Sequence, residues 1–101
     1  KELEHIFTEE AHDVEVLDLV EDAYHLIVWN DDVNTFDWVI KALIEICGHE
    51  QEQAEQCTLI IHNKGKCSVK TGNYETLKPM CEGITNRGIG ATIEELFHDA
   101  F

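Results

Sequence analysis

With 101 residues, 44% of them hydrophobic, the chain can build one small core and therefore one domain. Its 21 acidic residues outweigh 7 basic ones for a net charge of −14, which disfavours nucleic acid and anionic membrane surfaces, because both are bound through Lys and Arg. No apolar run approaches the roughly 20 residues that cross a bilayer and no signal-peptide pattern opens the sequence, so the expected location is cytoplasmic.

Residues 1–22 hold nine acidic residues and one lysine. That charge density opposes packing and predicts a flexible acidic extension, with a short apolar patch at Val14, Val16, Leu17, Leu19 and Val20. Tyr24 to Trp29, rich in β-branched and aromatic residues, reads as a central strand. Asn30-Asp31-Asp32 follows it directly. Asn34 or Thr35 then caps a helix, in which Phe36, Val39, Ile40, Leu43, Ile44 and Cys47 recur at spacings of three and four. Gly48 stops it. A second helix is expected from Glu50 to Asn63, with Ala54, Cys57, Ile60 (or Leu59) and Ile61 turned inward. Lys64-Gly65 is a turn, Lys66 to Lys70 a strand, and Thr71-Gly72-Asn73 a turn and cap.

Pro79 divides the next segment. A proline deep in a helix removes a hydrogen bond and costs about 3 kcal/mol. Two outcomes are open: a short turn over 73–78 with the helix proper over 79–86, or one kinked helix, with Leu77, Cys81 and Ile84 inward. Gly88 and Gly90 end it, Ala91 to Leu96 is a last strand, and 97–101 frays. The order strand–helix–helix–strand–helix–strand predicts an α+β domain over 23–96: a small three-stranded, mainly antiparallel sheet with three helices packed on one face.

Cys47, Cys57, Cys67 and Cys81 contain no C-x-x-C pair, so zinc-ribbon and thioredoxin-type readings lose their warrant. Cys47, Cys57 and Cys81 read as small buried hydrophobes with free thiols. Trp29 and Trp38 read as core or pocket-wall aromatics.

The chemistry concentrates at two points. Asn30-Asp31-Asp32 displays acceptor-rich side chains at a strand-to-helix corner, a setting suited to a cationic or hydrogen-bond-donating ligand. His62, at the end of the second helix, offers a second acceptor. Alone, the first reads as a turn-and-cap cluster and the second as a histidine favoured by the helix dipole. An enzyme pairing His62 with Cys57 or Cys67 lacks an orienting third group, and a metal site from Asp31, Asp32, His62 and His49 is a further alternative.

Taken in order, Asn30-Asp31-Asp32, Val39, Leu43, His62, Gly65-Lys66, Glu75 and Leu77 resemble the ClpS family of adaptors over residues 24–96. The resemblance implies a non-enzymatic protein, without a cofactor, that binds the free α-amino group and large apolar first side chain of N-degron substrates. It then hands them to a Clp-type AAA+ unfoldase, ClpA- or ClpC-like. It implies that Asn30, Asp31, Asp32 and His62 hold the amine and first peptide group. Asn34, Phe36, Val39, Thr58 and Ile61 would line the side-chain pocket, and Glu75 and Lys78 would face the unfoldase. The expected cargo begins with Leu, Phe, Tyr or Trp. Phe36 stands where relatives often carry a methionine, which implies a narrower pocket mouth, and Gly90 where a large apolar residue often closes the pocket. The alternative is an interaction module of the same fold without selectivity for the first residue.

Overall fold

The computed structural model describes residues 22–96. The expected extension over 1–22, apart from Asp22, and the expected fraying over 97–101 lie outside the described residues.

Six elements follow in order: β1 (Tyr24–Trp29), α1 (Phe36–Cys47), α2 (Gln51–Lys64), β2 (Lys66–Gly72), α3 (Tyr74–Asn86) and β3 (Ala91–Glu95). β1 lies in the middle of the sheet, in the order β2-β1-β3, and pairs antiparallel with both neighbours. This is the expected α+β arrangement. Side chains alternate across a strand, so Tyr24, Leu26 and Val28 meet the helices. There they join Val39, Ala42 and Leu43 of α1, Ala54 and Ile61 of α2, Val69 of β2, and Leu77 and Ile84 of α3 in one core. His25 and Trp29 point to the other face, where they bond Ser68 and Thr92. Burying a Leu or Ile contributes about 1.5–3 kcal/mol, which makes the fully buried Leu26, Leu43, Leu77 and Ile84 the main anchors.

The β1–β2 register slips between Leu26↔Lys70 and Ile27↔Ser68, leaving Val69 as an extra residue. Such a bulge takes a carbonyl out of the ladder. Val69 O instead accepts a 2.7 Å hydrogen bond from Nε2 of the buried His49.

Two local expectations are corrected and one open alternative is decided. Leu59 and Ile60 are 43% and 44% exposed, because α2 buries the stripe Ala54, Thr58, Ile61 at spacings of four and three. Residues 59 and 60 fall beside that stripe. α3 runs unbroken from Tyr74 through Pro79. Asn73 caps it, its Oδ1 accepting from Thr76 N at 2.7 Å, and buried Leu77 fixes the turn before the proline. Of the cysteines, Cys47 is buried, the other three are half-buried, and all four are free thiols.

Candidate functional site

Antiparallel register brings the two polar landmarks together. Trp29, at the end of β1, lies opposite Lys66, at the start of β2. The chain just before Lys66 is the end of α2, so His62 arrives beside the corner that starts at Asn30. The junction is closed by Asn30 N donating to Gly65 O at 2.9 Å. Gly65 carries φ 96°, the left-handed region open to glycine, and caps α2 while presenting that carbonyl.

The result is a cleft of about 290 Å³ lined by Asn30, Asp31, Asp32, Asn34, Thr35, Phe36, Val39, Thr58, Ile61 and His62. All nine residues assigned by resemblance to the amine and side-chain sites line it. Thr35, absent from that assignment, does so too. Its Oγ1 accepts from Trp38 N at 3.1 Å and so caps α1. The cleft has two parts. Val39, Thr58 and Ile61 are buried and form an apolar floor. The Thr58 hydroxyl donates to Ala54 O at 2.8 Å within its own helix, leaving the methyl group as its packing surface. Phe36, 42% exposed, stands at the rim with its ring edge-to-face against the His62 imidazole, centroids 5.1 Å apart at 70°.

The polar part is more ordered than its sequence announces. Asp31 Oδ1 accepts from the backbone N–H of both Val33 and Asn34 at 2.8 Å, and its Oδ2 accepts from Asn34 Nδ2 at 2.7 Å. These donors stabilise the ionised form. The Asn34 backbone hydrogen bond, followed by its side-chain bond and the Val33 N–H, holds the Asp31 carboxyl below its ordinary value of 3.8. Asp31 is thus a folded-in acceptor, three of its lone-pair positions occupied from inside the loop. Asn30, Asp32 and His62 make no side-chain hydrogen bond within the described residues. With Asn34 Oδ1, whose amide is bonded only through Nδ2, they are the acceptors left for a ligand: two amide oxygens, a carboxylate and an imidazole nitrogen. The Asp-x-x-Asn spacing of Asp31 and Asn34 is the signal that identifies this loop as self-bonded.

Other candidates separate from the cleft. His49 lies buried against Val69, so the metal reading loses one ligand, and among the described residues no group of three or more His, Cys, Asp or Glu is placed to hold an ion. Burial pushes the Cys67 thiol up to about 12 and Cys47 to about 11, which disfavours the thiolate a nucleophile needs. The tryptophans are neither core nor cleft wall. Each is 37% exposed, with a cation over its ring: Lys66 Nζ at 4.9 Å from Trp29, and the Arg87 guanidinium at 5.6 Å from Trp38. Gly90 does not line the cleft either. Its carbonyl accepts from Trp29 N at 2.9 Å, and a Cβ there would lie 3.6 Å from Trp29 Cβ. Glu75 and Lys78 are exposed on the first turns of α3, outside the cleft lining.

Comparison with known proteins bears on this geometry. The family model described as ATP-dependent Clp protease adaptor protein ClpS matches residues 20–92. The chain is 28% identical over 79 residues to the ATP-dependent Clp protease adapter protein ClpS of Mycobacterium tuberculosis strain H37Rv, covering 78% of each chain. It is 26% identical over 84 residues to the Mycobacterium leprae adapter of the same name, covering 83% of this chain and 78% of that one. Its fold is similar to that of Agrobacterium tumefaciens ClpS2 bound to L-phenylalaninamide, with a TM-score of 0.62 and 17% identity, covering 71% of this chain and 94% of that one.

Proposed function

The chain belongs to the ClpS family of ATP-dependent Clp protease adaptor proteins, and from that premise we propose that its cleft captures the free amino terminus and large apolar first side chain of substrate proteins. As a ClpS-family adaptor it serves a Clp protease and is not itself an enzyme. The observation that carries the finer reading is the cleft's division into a set of unoccupied acceptors and an adjoining apolar floor. A protein N-terminus offers the complement: an ammonium with three N–H donors, and a side chain one Cα away. The L-phenylalaninamide bound to the Agrobacterium ClpS2 has these same two parts, a free amine and a large apolar side chain.

In this reading Asn30, Asp32 and His62 receive the ammonium and first peptide group, with the Asn34 amide oxygen as a further acceptor and Asp31 behind them. Phe36, Val39, Thr58 and Ile61 enclose the side chain. Hydrogen bonds to a charged group contribute roughly 1.5–3 kcal/mol each, and burying a Leu or Phe about 1.5–3 kcal/mol. Three such hydrogen bonds and one buried side chain total about 6–12 kcal/mol before the cost of ordering a peptide, so a micromolar affinity, about −8 kcal/mol, is the upper end of what they leave. Such an affinity suits cargo that must be released. The cleft, about 290 Å³, lies at the lower edge of the roughly 300–1,000 Å³ of pockets for drug-sized ligands, in keeping with a single side chain.

Delivery is assigned to the remainder of the chain: residues 1–22, with Glu75 and Lys78 of α3, face a ClpA- or ClpC-like AAA+ unfoldase. Four free thiols are in keeping with a reducing, cytoplasmic setting.

A series of fluorescent peptides differing only in the first residue tests the reading. Peptides beginning Leu, Phe, Tyr or Trp should bind, and those beginning Gly, Glu or Val should be at least about 10-fold weaker, a difference of about 1.4 kcal/mol. Valine fails because Phe36 and Ile61 crowd a branched Cβ. Equal affinity for Leu- and Glu-initiated peptides would leave a general interaction module instead.

A further inference from the structure

Outside the cleft, a set of contacts joins the α3–β3 loop to the first turn of α1. Arg87 O accepts from the Trp38 indole Nε1–H at 2.9 Å. The next carbonyl, Gly88 O, accepts from Asn34 Nδ2 at 2.9 Å. Gly88 adopts φ 83°, which only glycine takes readily, so one carbonyl can meet α1 and the next the loop that leads into it. The Arg87 guanidinium lies over the Trp38 ring at 5.6 Å and pairs with Glu45 Oε1 at 2.7 Å. Trp38 is tied back to the corner through Thr35 Oγ1. Glu45, Arg87, Trp38, Gly88, Asn34 and Asp31 form one connected network that ends in the cleft.

We propose that Trp38 and Arg87 are positioning residues for ligand capture, which they serve by fixing the Gly88 carbonyl that orients the Asn34 side chain. The Asn34 amide has two N–H groups. One is bonded to Asp31 Oδ2 and the other to Gly88 O. With both committed, the amide cannot turn over, and the atom left to meet a ligand is Oδ1, an acceptor. An acceptor suits an ammonium or a peptide N–H. A freely rotating amide would present a donor half of the time and would lose its hold on Asp31. The proposal rests on the reading that the cleft takes a free amine, yet the orientation of Asn34 is a property of the unliganded protein and is measured separately.

The experiment uses the full chain with Trp38→Phe, which keeps the ring under Arg87 and removes the indole N–H, and Arg87→Ala as a second variant. Binding of a Leu-initiated peptide is measured alongside the Asn34 side-chain amide signals by ¹⁵N NMR. Trp38→Phe should weaken binding about 3- to 10-fold, the scale of one lost hydrogen bond. It should also shift the Asn34 side-chain signals and speed their exchange. Arg87→Ala should move the same signals in the same direction. Because Trp38 acts through Asn34, the double variant Trp38→Phe/Asn34→Ala should bind as weakly as Asn34→Ala alone. Additive losses, or Asn34 signals unchanged in both single variants, would overturn the proposal. A wild-type chain that ignores the Leu peptide would instead defeat the amine reading, and the Asn34 signals alone would then decide the positioning role.

Discussion

Asp31 and His62 line the same cleft from walls that are held in different ways. The wall from Asn30 to Phe36 is a loop bonded to itself and to the α3–β3 loop, with Asp31 accepting three hydrogen bonds and Asn34 donating three. The opposite wall is the end of a helix. His62 there is exposed, and its imidazole is steadied by an aromatic contact with Phe36. The first wall is ordered before any ligand arrives, and its most connected carboxylate has little left to offer. The second wall keeps its acceptor open. A polar group in a binding cleft is therefore assigned to shape or to affinity by what already bonds it, and Asp31, acidic as it is, belongs to shape.

The largest test of that contrast is His62→Ala. It removes an open acceptor and the partner of the Phe36 ring, and it should weaken binding of a Leu-initiated peptide about 10- to 100-fold, the value of a hydrogen bond to a charged group. Fluorescence anisotropy across pH adds a signature. Wild-type binding should weaken above about pH 8, where a peptide α-amino group loses its proton, and the variant should keep that limb, because the titrating group is on the ligand. A variant that binds the peptide as tightly as wild type would leave His62 outside the site.

A smaller effect is expected at Asp31, and on stability rather than affinity. Its carboxyl is held below the ordinary 3.8 by the Asn34 and Val33 donors. A depressed folded-state pKa means that the stabilisation is present above the unfolded value and is lost as pH falls through the folded one. Asp31→Asn should therefore cost under about 1 kcal/mol in urea unfolding at pH 7, because solvent screens the Asp31 charge, with the gap to wild type closing below about pH 4. A gap of constant size from pH 7 to pH 2 would show that the charge of Asp31 contributes nothing.

The sequence displays this molecule unevenly. β1 and α1 are legible because a short run with four β-branched or aromatic residues and a long stripe of apolar spacing each fit one element type, and Gly48 and Gly65 mark stops that the backbone needs. α2 is not, since its mostly polar sequence leaves Thr58 and Ile60 competing for the inward face, and packing chose Thr58. Pro79 argues for a break in α3 that the Asn73 cap and buried Leu77 override. The members of the cleft follow from the resemblance, and their division of labour does not. Asp31 and Asn34 are three residues apart and could be paired by inspection, but the Asn34–Gly88 and Trp38–Arg87 contacts span 54 and 49 residues and exist only once the sheet has closed.

The central claim, that this cleft is where substrate is held, is tested most directly by mapping backbone amide shifts on adding a Leu-initiated peptide. The account predicts that signals from Asn30 to Phe36 and from Thr58 to His62 move together and saturate in the micromolar range, while those of Glu75 to Lys78 stay in place. Shifts centred on α3, or on the sheet face carrying His25 and Ser68, with the corner unmoved, would contradict it.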